Sequence, residues 1–201
     1  ISIIDPSSFD AGTCYVAATR YKLGDQKPYL LKTTDFGKTW HLIVAGLPAN
    51  AYTRAIRHDP NQQNLLYAGT ERGIFVSFNN GDKWQSLQLN LPLTPIHDLR
   101  IHPRERDLVV ATHGRSFWVL DNLTPLHELC TQNQQITKNA LHLFKPKFAY
   151  RMEGGSYYSP TMQTGQNAPN NLQVYYYLKT EPKKSLKMRF LTEKNDTVAT
   201  F

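Results

Sequence analysis

"TTDFGKTW" (residues 33–40) decides the fold because it occurs twice. The second copy is "SFNNGDKW" (77–84), which aligns Thr33 with Ser77, Asp35 with Asn79, Gly37 with Gly81 and Trp40 with Trp84. The flanks repeat too: "RAIRHDPNQQNLLYAGTERGIFVSF" precedes the second copy. "SIIDPSSFDAGTCYVAATRYKLGDQKPYLLKT" precedes the first, with an insert at "RYKLGDQKP". A third, diverged unit follows in "DLRIHPRERDLVVATHGRSFWVLDN". Asp5-Pro6, Asp59-Pro60 and His102-Pro103 mark one shared turn, and Leu47-Pro48 and Leu91-Pro92 mark another.

Inside each unit the patterning is that of strands. "YTRAIRH" and "GIFVSF" alternate, "NLLYAGT" is short and apolar, and "KWQSLQL" closes the unit. No helical periodicity runs through ten residues. Four short strands in a repeat of roughly forty residues predict a β-propeller blade. The box then falls between the third and fourth strands. Gly37 and Gly81 permit a positive φ, and Asp35 or Asn79 can accept bonds from turn N–H groups. Thr33 or Ser77 ties the turn from the other side, Thr39 completes the pattern in the first copy, and Trp40 and Trp84 open the fourth strand with rings that can pack between blades. A calcium loop needs several carboxylates, which these boxes lack, so the reading is a structural turn with no metal.

The pattern S/T-x-D-x-G-x-T-W resembles the Asp-box, or BNR repeat, of sialidases, some glucanases and sortilin-type receptors. The first copy matches it throughout; the second departs at Asn79 and Lys83. The longer run from "YAGTERGIFVSF" to "SFWVLDNLTPL" resembles the C-terminal blades of large bacterial proteins with a sortilin-like propeller. That resemblance implies architectural boxes and a secreted or periplasmic protein, a compartment the residues themselves leave unknown.

The 201 residues carry 40% hydrophobic and 11% aromatic side chains, enough for a core. Apart from "EPKKSLKMR" near the end, the net charge of +7 is dispersed rather than gathered in a stripe, which argues against nucleic acid. No apolar run reaches the length of a membrane span. Cys14 and Cys130 stand without a CxxC or Cys/His partner, so neither zinc nor any other cofactor is expected, and whether they pair is open. Opening on "ISIIDPSSF" and ending on "TVATF", the sequence reads as part of a longer protein whose remaining blades would be partners of these.

A four-stranded meander puts the boxes and the Asp-Pro turns at one end. The opposite face collects "TRYKLGDQKPY", "TERG" and "THGRS" with the connections before the next blade. It therefore holds Arg20, Tyr21, Lys22, Tyr52, Glu71, Arg72, His97, His113 and Arg115. Arg20, Glu71, Arg72, His113 and Arg115 are the ligand-binding candidates: Arg can grip a carboxylate in two parallel bonds, and His titrates near neutral pH. The competing reading is a tight hairpin at Gly114 and a local Glu71–Arg72 ion pair. Arg72, Arg115 and Arg20 occupy equivalent turns and could form a basic arc.

No residue is assigned a catalytic role. The Arg-Ile-Pro motif of sialidases is absent, and no carboxylate pair has a defined relation. The expected function is a non-catalytic propeller that binds protein, peptide or glycan. The alternative is part of a sialidase- or glucanase-like glycoside hydrolase whose catalytic residues lie mostly elsewhere.

Past Asp121 the repeat stops. The expected organisation is all-β: about three four-stranded blades over 1–124, a short helix and linker over 125–167, and over 168–201 the first strands of an incomplete sandwich. "LTPLHELCTQ" reads as the helix, with Pro near its start, and "SYYSPTMQTGQNAPNN" as a polar loop. "GQNAPNNLQVYYYLK" resembles the opening of an immunoglobulin- or fibronectin-like domain.

Overall fold

"NLLYAGT" is too short for a helix and bounded by turn residues on both sides. It forms a strand buried at every position, the second of a four-stranded antiparallel meander. The computed structural model describes residues 1–149 and 171–201. The first blade comprises β1 (Ile3–Pro6), β2 (Cys14–Arg20), β3 (Asp25–Thr33) and β4 (His41–Leu42). The second comprises β5 (Thr53–His58), β6 (Leu66–Thr70), β7 (Gly73–Ser77) and β8 (Gln85–Ser86). The third has three strands, β9 (Ile96–His102), β10 (Asp107–Thr112) and β11 (Phe117–Leu120).

The blades stack through apolar faces, and the alternation of each strand dictates which residues meet. Tyr15, Ala17, Leu30 and Ile43 of the first unit pack against Ile56, Leu66, Ala68 and Trp84 of the second. Ala55, Leu65, Tyr67 and Ile74 face the other way, onto Ile96, Leu99, Leu108 and Val110. Gly69 permits this approach: a Cβ there would sit 2.8 Å from Ile96 Cγ2. The first strands β1, β5 and β9 lie beside one another, as the inner strands of a propeller must. The chain is an all-β partial propeller.

A buried cation ties these inner strands together. Arg57 of β5 donates to Asp5 Oδ1 of β1 (2.9 Å), to Asp98 Oδ1 of β9 (2.7 Å) and to the Leu99 carbonyl (2.8 Å). Its side chain is 8% exposed, so a guanidinium with three satisfied directions replaces what water would otherwise supply.

After β11 the chain turns at Asn122 (φ 63°) into α1 (Thr124–Lys138) rather than a fourth strand. Pro125 lies in the first turn and the Asn122 side chain accepts the Thr124 N–H at 3.2 Å. The helix runs beyond the expected segment because a kink at Gln132 reorients it rather than ending it, and Ile136 is fully buried past that kink. His127 Nε2 lies 2.9 Å from Asp59 Oδ2, which also accepts from Tyr67 at 3.1 Å, so the helix docks on the Asp-Pro turn of the second blade. Cys14 and Cys130 are both free thiols. Cys130 points at the Phe78 carbonyl, 3.5 Å away.

The remaining described strands make two separate ribbons. β12 (Leu141–Leu143) pairs with β13 (Tyr176–Leu178), and β14 (Arg189–Leu191) pairs with β15 (Thr197–Thr200). The strand within "LQVYYYLK" finds its partner just after the helix. The polar loop expected over 156–171 lies, but for Asn171, outside the described residues.

Candidate binding site

Both boxes hold their polar atoms within the turn. Thr33 donates to Asp35 Oδ1 (2.7 Å), which also accepts the Thr39 N–H (2.9 Å), while Thr39 Oγ1 donates to Oδ2 (2.6 Å). The Gly37 N–H reaches Thr33 Oγ1 at 3.0 Å. These donors, the Thr39 hydroxyl foremost, hold the Asp35 carboxyl down at about 2. In the second box Ser77 donates to Asn79 Oδ1 (2.9 Å), which accepts the Lys83 N–H (2.9 Å), and Gly81 N–H reaches Ser77 Oγ (2.9 Å). The chain passes through positive φ at Phe36-Gly37 and again at Asn80-Gly81.

At the other end, the repeat places side chains in matched positions. The first strand of the second blade pairs Thr53 with Thr70 and Ala55 with Gly69, which leaves Arg54 as the extra residue of a β-bulge. In the third blade Asp98 pairs with Ala111 and Ile96 with Thr112, which leaves His97 in the same role. Arg54 and His97 align one repeat apart. The turn after each second strand is matched as well: Glu71 N–H donates to the Tyr52 carbonyl (3.0 Å), and His113 N–H to the Pro95 carbonyl (2.9 Å). A bulge re-aims the side chain it carries, so each blade delivers one residue from its inner strand and one from its turn to the same mouth.

The two pairs differ chemically. Arg54 Nε lies 3.6 Å from Glu71 Oε2. Both atoms are buried and neither makes a hydrogen bond within the chain. The next blade pairs two imidazoles, His97 and His113, with ring centres 4.6 Å apart. Burial pushes the His97 imidazole below its usual range, and the neighbouring Arg54 and His113 push the same way against Glu71. The insert of the first blade adds Tyr21, stacked on Tyr52 with centres 4.9 Å apart. The Arg54 guanidinium lies 5.1 Å from both ring centres and donates to the Tyr52 hydroxyl at 3.1 Å.

Of the residues singled out from sequence, Glu71, His113, His97, Tyr21 and Tyr52 converge here. Arg72 and Arg115 lie exposed in the adjoining turns, their backbone N–H groups held by Thr70 and Thr112 (3.0 and 3.1 Å). Arg20 is instead drawn to Asp25 of its own blade, 3.7 Å away, and over the Tyr29 ring. Glu71 pairs with Arg54 rather than with Arg72. Sequence reasoning missed Arg54 because "YTRAIRH" reads as regular alternation; alignment with "PIHDLRIH" marks the position, but only pairing reveals the bulge. Among the described residues no three His, Cys, Asp or Glu side chains converge as a metal site, and no helix is long and apolar enough to cross a membrane.

Similar solved structures are β-propeller proteins. The chain is similar to a GH74 enzyme of Niastella koreensis, at 20% identity and TM-score 0.49, over 60% of this chain and 21% of that one. It is similar to the GH74 xyloglucanase of Xanthomonas campestris, at 16% identity and TM-score 0.49, over 61% and 22% of the two chains. YCF48, solved bound to a D1 peptide, matches at 19% identity and TM-score 0.41, over 59% and 35%. The chain thus spans about a fifth of each of the two enzymes. No protein-family model matches the sequence, and no curated protein matches it.

Proposed function

We propose that the chain is part of a non-catalytic Asp-box propeller of the sortilin-like bacterial type, which binds a protein, peptide or glycan ligand on its loop face. The observation that carries this reading is the convergence of Arg54, Glu71, His97 and His113 from two blades, with Arg72 and Arg115 exposed beside them. Charged side chains are expensive to desolvate, as Arg54 and Glu71 partly are, and the turns alone do not require them. The boxes, at the far end, direct their polar groups inward. Arrays of peptides and glycans probed with the protein and with its Arg72→Ala/Arg115→Ala variant test the reading. Binding by the parent protein that drops at least tenfold in the variant, with unchanged melting, supports it. Hydrolysis of a xyloglucan, β-glucan or sialoside, without such binding, supports a glycoside hydrolase instead.

A further inference from the structure

The Arg54–Glu71 contact is an incomplete one. At 3.6 Å the charges attract, yet the Nε–H and Oε2 facing each other are both buried and form no hydrogen bond. A buried donor and acceptor left unmet destabilise the free protein. The bulge and Tyr52 hold Arg54, and the bond from the Glu71 N–H to the Tyr52 carbonyl sets the backbone from which the Glu71 side chain reaches it. A carboxylate brought from outside can approach the guanidinium along the direction that Glu71 cannot reach. Glu71, whose side chain is 34% exposed, can then turn to water.

We propose that Arg54 and its repeat-equivalent His97 bind the carboxylate of an acidic peptide, with Glu71 as the resident carboxylate that the ligand displaces. This deepens the loop-face reading and rests on it. The surroundings select the ligand class. Beside Glu71, the side chains in contact with Arg54 and His97 here are the phenols of Tyr21 and Tyr52 and the imidazole of His113. Tyr21 and Tyr52 cover one another and Tyr52 is only 6% exposed, so the pair offers a sugar ring little aromatic surface to stack on. A compact anion on an extended chain meets no such obstacle. Arg72 and Arg115, exposed in the turns that carry Glu71 and His113, add positive charge for the other acidic side chains of such a peptide.

Calorimetric titration with a terminally blocked tetraglutamate peptide tests the proposal, with sodium glucuronate as the second arm. The expected result is saturable binding of the peptide, about tenfold tighter in Glu71→Gln because the competing charge is gone. Arg54→Lys should weaken it at least tenfold, since an ammonium cannot reproduce the planar fork. Circular dichroism melts identify variants that fail to fold, and Glu71→Gln keeps the test open if Arg54→Lys does. Weaker binding in Glu71→Gln, unchanged binding in Arg54→Lys or no binding by the parent protein would each overturn the proposal. Preference for glucuronate would replace the peptide by an acidic glycan. If tetraglutamate fails while the array ligand still depends on Arg72 and Arg115, the loop-face reading stands and this one falls.

Discussion

At the scale of single residues, the two boxes form a natural substitution series. Asn79 keeps, with an amide oxygen, the bonds from Ser77 and Lys83 that the Asp35 carboxylate takes from Thr33 and Thr39. What Asp35 adds is a charge and the Thr39 hydroxyl bond. Its carboxyl is lowered from 3.8 to about 2 in the folded protein, so its contribution is complete above about pH 4 and is lost as the pH falls towards 2. Asp35→Asn should therefore melt slightly below the parent protein at neutral pH and converge with it by pH ~2. Asp35→Ala, which strands the Thr33 hydroxyl and the Thr39 N–H, should melt several degrees lower throughout that range, with loop-face binding unchanged. Thermal melts across pH check both. A parent protein that loses no more stability than Asp35→Asn on acidification would contradict the role given to the charge.

At the scale of elements, one motif position has two fates. Trp84 is 2% exposed, wedged against the first blade with its indole N–H on the Ile43 carbonyl at 2.7 Å. Trp40 is 42% exposed and turns its N–H back to Gly37 of its own box, because Trp84 packs on the blade before its own and no described blade precedes β1. Trp84→Ala should cost about 3–5 kcal/mol in urea unfolding. Trp40→Ala in this chain should cost well under half of that, and equal losses would contradict the blade-packing account. Blade count, strand order and box position were legible because each rests on short-range alternation and on a motif written twice. The docked length of the helix and the pairing of Leu141–Leu143 with Tyr176–Leu178 were not. They depend on contacts across the fold, such as His127 with Asp59, that no local pattern encodes. Arg54 was hidden for a related reason: in a strand read as regular, one extra residue changes what it faces without changing its letter.

At the scale of the molecule, the inner strands do two jobs with adjacent residues. Arg57 joins β1, β5 and β9 through Asp5, Asp98 and the Leu99 carbonyl, and so holds the blades in fixed register. A few residues away on the same strands, Arg54 and His97 are turned out by matched bulges into the mouth that this register defines. The rigid tie below fixes how the second and third blades face each other, so Arg54 and Glu71 of the one stay beside His97 and His113 of the other. The measurement that tests this most directly is a heteronuclear NMR titration with the blocked tetraglutamate peptide, following the Arg Nε–Hε and His ring resonances. The account predicts that Arg54, His97 and His113 shift together along one binding curve, while Arg57 and the box residues Asp35 and Asn79 stay still. Shifts confined to the box face, or Arg54 unmoved while the peptide binds elsewhere, would contradict it.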